Sequence, residues 1–271
     1  MDHIRAAVTK ARDTRARTTS PAGLKPGQVD RRVQRADVDF QSFQKTACNF
    51  ELFAPNRIIA NEHDPVLNAY RVLRTRVLQK MEAEGWRTIA VVSPSPSAGK
   101  TVTAINLAIA VSSSAASRVT LADFDFYRPS ISRYLGLNDP GSILDFFEGQ
   151  APLDTLVRRT DLANLMILAN ERVSRRGSEF LSSTAVTAMF DRAVQSYNSR
   201  IVVMDTSPIL GCDDTIALLP QVDCVLLVAA SGQTRADELT EAKRLLRNTN
   251  VVGTILNKAP SVSAGSSYYY Y

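Results

Sequence analysis

The chain has 271 residues, 45% of them hydrophobic and 22% charged, which is ample for one sizeable core and too apolar for a disordered chain. Two histidines, and three cysteines without metal-ligand spacing, argue against a His-based zinc site, a Ser-His-Asp triad or a disulfide framework, and for a reducing cytosol. The net charge of +5 equals the excess of ten Lys/Arg over five Asp within residues 1–45, so it describes a basic arm and not a nucleic-acid groove across the fold.

Residues 2–17 read as a short, mostly polar amphipathic helix and 18–30, with Ser, Pro and Gly, as a linker. Residues 31–60 have no strong period. Over 64–85, Val66, Leu67, Tyr70, Leu73 and Val77 share one helical face and Gly85 ends the run. Apolar, β-branched strands then follow at 88–93, 118–123, 164–169, 200–205, 224–230 and 251–257. Helices are expected between them at 100–115, 178–197, 213–219 and 234–247. This alternation predicts a doubly wound α/β fold, a mostly parallel sheet flanked by helices, with ligands at the carboxyl ends of the strands. The expected organisation is a flexible basic arm and linker over 1–60, one domain over 61–260 and a tail over 261–271. No run reaches the roughly 18 apolar residues of a membrane span, and the first 20 residues are too charged for a secretory signal.

Three strand ends carry the chemistry. "SPSPSAGKT" (93–101) runs from a strand into a helix and offers Gly99, Lys100 and Thr101, respectively a glycine for close backbone approach, a cation for outer phosphates and a hydroxyl for Mg²⁺. The strict phosphate-loop pattern wants glycine where this chain has Pro94. Lys100 is expected in a solvated loop. "TLADFDFYRP" (120–129) closes its strand with Asp123 and Asp125, and "IVVMDTSP" (201–208) ends on Asp205 after apolar residues, the shape of a metal-holding carboxylate. Each Asp also has a bland reading as the cap of a turn or helix. Three such ends in this order point to a Mg²⁺-nucleotide site.

The set "SPSPSAGKT", "ADFDFYRPSISRYLGL", "SEFLSS", "VVMDTSPIL" and "GTILNK" resembles the bacterial tyrosine kinases, P-loop kinases of capsule and exopolysaccharide biosynthesis, over about residues 64–271. That resemblance implies an ATP- and Mg²⁺-dependent autokinase of the deviant-Walker, MinD-like type. Ser95, Pro96, Ser97, Ala98, Gly99, Lys100, Thr101 and Val102 would form the phosphate loop, with Arg128 beside it and Asn257 on the adenine side. Thr101, Asp123 and Asp205 would hold the metal, and Lys100, Asp123, Asp125 and Asp205 would serve catalysis. The C-terminal Tyr268, Tyr269, Tyr270 and Tyr271 would be the phosphoacceptors, which accounts for four tyrosines at a chain end. Implied partners are a membrane-embedded polysaccharide co-polymerase that activates the kinase, other copies of the chain, and a phosphotyrosine phosphatase; nucleic acid is not among them. The implied location is cytoplasmic, at the inner face of the plasma membrane through that partner.

The sequence departs from the family at three places. It has Ser97 for a glycine, Tyr127 for a basic residue, and Asn68 for the Glu of the oligomerisation helix that also carries Arg71 and Arg74. Two alternatives remain open: a nucleotide-binding scaffold that transfers no phosphate, and a positioning ATPase, which would have no use for a tyrosine tail.

Overall fold

The computed structural model describes residues 38–61, 64, 66–114 and 117–259. The expected helix over 2–17, its linker and the tyrosines at 268–271 lie outside the described residues.

Each predicted strand forms. In chain order the strands are β1 (Gln44–Lys45), β2 (Thr88–Val92), β3 (Arg118–Phe124), β4 (Arg158–Arg159), β5 (Leu165–Leu168), β6 (Ser199–Thr206), β7 (Cys224–Ala230) and β8 (Val251–Asn257). Among the described residues they make one sheet in the order β1-β4-β5-β3-β6-β2-β7-β8. All neighbours pair in parallel except β4 with β5. β2 and β7 are buried at every position, because helices cover both faces and both sets of alternating side chains enter a core. Ile89 and Val91 of β2 point into one core with Val77, Met81 and Ile105. Ala90 and Val92 point into the other, with Phe124, Met189 and Phe190.

The first core is covered by α1 (Leu67–Glu84) and α2 (Lys100–Ser112). The buried face of α1 is Leu67, Val77, Leu78 and Met81, while the expected Val66 is 44% exposed. Arg74 on this helix donates to the Ala110 carbonyl at 3.0 Å, so one of the two arginines of the expected oligomerisation pattern is engaged inside the domain. Short helices α3 (Ile131–Leu135) and α4 (Leu144–Phe147) follow β3. The helix expected over 178–197 is broken into α5 (Gly177–Leu181), α6 (Thr184–Asp191) and a wider turn at Arg192–Ser196. Ser183 causes the break: its backbone is extended and its hydroxyl donates to the Phe180 carbonyl at 2.6 Å, the competition with helix bonds that serine offers. The last helices are α7 (Asp214–Leu218) and α8 (Ala236–Leu245).

The expected linker boundary near 60 moves. Residues 38–61 belong to the folded domain, with Phe53 and Ile58 buried and Phe43 meeting Tyr197 edge to face at 4.9 Å. Asn106 of α2 accepts from Ile59 N–H at 2.9 Å and donates to the Arg57 carbonyl at 2.9 Å. The segment escaped the periodicity test because it docks through single-turn helices and a two-residue strand.

Candidate active site

The site lies where β2, β3 and β6 end. Register is the decisive element: Asp123 of β3 sits directly opposite Asp205 of β6, and Asp205 opposite Val91 of β2. Neighbouring strands run about 4.8 Å apart, so pairing brings both carboxylates to the root of the loop that leaves β2.

That loop, 93–99, is tied down on several sides. Ser93 Oγ donates to the Ser95 carbonyl at 2.9 Å, and the Ser93 carbonyl accepts from Ile209 N–H at 2.9 Å. Gly99 has φ 93°, a conformation natural to glycine alone, and a Cβ there would overlap the Asn257 side-chain amide. From Gly99 the chain enters α2, whose first turn carries Lys100 and Thr101.

Lys100 is not in a solvated loop as its sequence context suggested. Its side chain is 11% exposed and its Nζ lies 2.9 Å from Asp125 Oδ2 and 3.8 Å from Asp205 Oδ1. Burial pushes its pKa down, but the charges of Asp205 and Asp125 more than reverse this and leave the pKa above the ordinary lysine value. Thr101 Oγ1 donates to Asp205 Oδ2 at 2.6 Å.

The structure sorts the three carboxylates. Asp123 accepts from the backbone N–H groups of Ser130 (2.8 Å), Ile131 (2.9 Å) and Asp125 (3.2 Å), so both its oxygens hold the turn into α3. The capping reading thus describes its contacts, and it does not line the cleft. Asp125 does line the cleft, and its Oδ1 accepts from Ser207 Oγ at 2.9 Å and Arg128 N–H at 3.0 Å. Asp205 is fully buried, and its Oδ1 accepts no hydrogen bond. Burial, reinforced by the Asp205 charge, pushes Asp123 up to about 8; burial pushes Asp205 up to about 6 against the pull of Lys100 and Thr101.

Lys100, Thr101 and Asp125 border a cleft of about 490 Å³, and Asp123 and Asp205 lie behind its wall. Of the residues expected in the phosphate site, Pro96, Ser97, Gly99, Lys100, Thr101, Val102 and Arg128 line it. Ser95, Ala98 and Asn257 stand behind. Ser95 Oγ points at Glu238 (3.4 Å), and Asn257 Nδ2 donates to the Ala98 carbonyl at 2.9 Å, so this amide is engaged by the loop. Sequence reasoning missed Ser130, Arg133, Ser207 and Lys258, all on the cleft wall. Ser207 and Lys258 each lie one or two places beyond a residue that was singled out, and all four stand inside the stretches that carry the family resemblance.

The donor set suits Mg²⁺. It offers a hydroxyl and a buried carboxylate oxygen that accepts no hydrogen bond, hard ligands for a cation that keeps several waters and phosphate oxygens. Among the described residues no group of three or more His, Cys, Asp or Glu side chains converges as a metal cage.

No protein-family model matches the chain. Curated relatives do. Over 188 residues, 69% of this chain, it is 29% identical to the putative tyrosine-protein kinase EpsB of Ralstonia solanacearum, of whose length it spans only 25%. It is 27% identical over 218 residues to the tyrosine-protein kinase YwqD of Bacillus subtilis, covering 79% of this chain and 90% of that protein. The solved BceF tyrosine kinase domain superposes with a TM-score of 0.68 at 25% identity, over 80% of this chain and 92% of that one. The chain is thus similar in sequence to bacterial tyrosine-protein kinases and in fold to a solved tyrosine kinase domain.

Proposed function

We propose that the chain is an ATP-dependent protein-tyrosine kinase that phosphorylates its own C-terminal cluster, Tyr268 to Tyr271. The observation that carries this reading is the meeting of Lys100, Thr101 and Asp125 on one cleft at the strand ends, with the buried Asp205 within reach of Lys100 and Thr101. Phosphoryl transfer asks a protein mainly for positioning and charge neutralisation. Lys100 supplies the cation, and an incoming phosphate competes with Asp125 for it. Thr101 and Asp205 would hold Mg²⁺, which supplies neutralisation of the phosphate charge. Asp125, on the cleft wall beside Ser207, is the carboxylate available to accept the proton of a tyrosine hydroxyl. Asp123 keeps the turn that presents Asp125 and Arg128 in place. Arg128 and Arg133 add positive charge at the cleft wall. By family resemblance the activity would regulate capsule or exopolysaccharide synthesis, with a membrane-embedded activator as partner and a phosphatase opposing it. Among the described residues no helix is long and apolar enough to cross a membrane, which fits recruitment by such a partner.

A nucleotide-binding scaffold is the second reading. It is favoured by Tyr127, 42% exposed on the cleft wall where relatives are expected to carry a cation. Intact-mass spectrometry after incubation with Mg²⁺-ATP separates the two. Stepwise gains of phosphate on the wild type, lost in Asp125→Asn and in the fourfold Tyr→Phe variant of 268–271, are expected of the kinase. Nucleotide binding with no mass gain, even when an activator's cytoplasmic segment is added, would leave the scaffold.

A further inference from the structure

We propose that Lys258 is a positioning residue that clamps the phosphate loop in its binding shape from the end of β8, an inference that rests on the nucleotide-site reading above. β8 ends at Asn257, and the next residue turns its side chain back over the loop. Lys258 Nζ donates to the Ser97 carbonyl at 2.7 Å and to Gln233 Oε1 at 2.8 Å. Asn257 donates to the next carbonyl along, that of Ala98, at 2.9 Å. Two consecutive residues of the strand end therefore hold two consecutive carbonyls of the loop.

The consequence follows from peptide geometry. A peptide unit is planar, and in the trans form its N–H points opposite to its C=O; the described chain has no cis peptide. Holding the Ser97 and Ala98 carbonyls against β8 therefore directs the N–H groups of Ala98 and Gly99 away from β8. Backbone N–H groups at a helix N-terminus are what a phosphate loop offers its ligand, so their direction is a binding property. The clamp also answers a local difficulty. Ser97 has φ 63° and Lys258 has φ 55°, a left-handed region that side chains other than glycine adopt at a cost. Such residues persist only where their surroundings over-determine them. Here the charge-assisted hydrogen bond from Lys258 to the Ser97 carbonyl joins the two left-handed residues and adds such a constraint to both. Gln233, in the turn after β7, holds the ammonium from a second side.

The test uses the full-length protein, nucleotide-free and titrated with a fluorescent ADP analogue, with and without Mg²⁺. Lys258 is exposed, so Lys258→Met is expected to fold with an unchanged melting temperature. In the nucleotide-free state its amides at 97–99 should exchange with deuterium about tenfold faster than in the wild type, and ADP binding should weaken about five- to tenfold, the net size of one ordinary hydrogen bond. Lys258→Arg, which can still donate to the carbonyl, should restore most of both. In a Ser97→Gly background, where the loop takes its φ without cost, the Lys258→Met loss should shrink to under about twofold. Unchanged exchange at 97–99 in Lys258→Met would overturn the clamp. So would an affinity loss of equal size in both backgrounds, which would make Lys258 a plain charge on the ligand. If the wild type binds no ADP, the nucleotide-site reading fails, and the exchange comparison still decides the clamp by itself.

Discussion

Lys100→Met is the substitution usually chosen to silence such a site, and here it is expected to cost stability as well. Lys100 sits 2.9 Å from Asp125 and 3.8 Å from Asp205, carboxylates whose side chains are 4% and 0% exposed. Removing one partner of a buried ion pair leaves the other charge uncompensated, at about 3–5 kcal/mol. Asp125 keeps its bonds from Ser207 and Arg128, and Asp205 keeps Thr101, so the lower end applies. About 3 kcal/mol corresponds to a melting temperature lower by about 6–12 °C in a domain of this size. The sign with pH is fixed. The Lys100 pKa is raised on folding, so its contribution is fully present below the unfolded lysine value and is lost only at strongly alkaline pH. Without the ammonium the carboxylates bind protons more readily, Asp205 climbing beyond its present value of about 6. The deficit of the variant is therefore largest near pH 8 and shrinks near pH 5. Thermal unfolding of both proteins at the two pH values, without nucleotide or Mg²⁺, measures it. A deficit under about 2 °C at pH 8, or one equal at pH 5 and pH 8, would refute the argument. Lys100→Arg, which keeps the charge, is the companion needed before any loss of phosphorylation is assigned to chemistry.

Two further predictions concern the same loop. Gly99→Ala meets both an unfavourable φ of 93° and the Asn257 amide; it should destabilise the domain by about 1–3 kcal/mol and weaken nucleotide binding at least tenfold, and an unaltered binding isotherm would contradict the fit at this position. In the metal-free wild type, Asp123 and Asp205 have folded pKa values raised to about 8 and about 6, so the native state holds more protons than the unfolded chain and stability should fall as pH rises from about 4 to 8. Mg²⁺ with ADP should flatten that slope, and denaturation curves with the same slope in both conditions would argue against a metal at Asp205.

Composition and periodicity were sufficient for the six long strands, because a sheet covered on both faces needs uninterrupted apolar runs such as "CVLLVAA" and "TIAVV", and nothing distant alters that need. The candidate residues were legible for a related reason: strand ends are local, with Asp123 and Asp205 near the last positions of β3 and β6, Asp125 directly after β3, and Lys100 and Thr101 opening the helix that follows β2. What each residue does was decided by tertiary structure. Only the β3–β6 register sets Asp123 against Asp205, and only the turn into α3 engages both oxygens of Asp123, whereas Asp205 Oδ1 accepts no hydrogen bond. Burial of Lys100 depends on two carboxylates that lie 25 and about 100 positions away. Residues 38–61 join the domain through contacts that have no period, and Lys258 reaches Ser97 across 161 positions. A local pattern fixes which groups a chain carries to an edge of the sheet; pairing, packing and desolvation act between distant segments, and they alone determine which of those groups face the cleft and in what charge state.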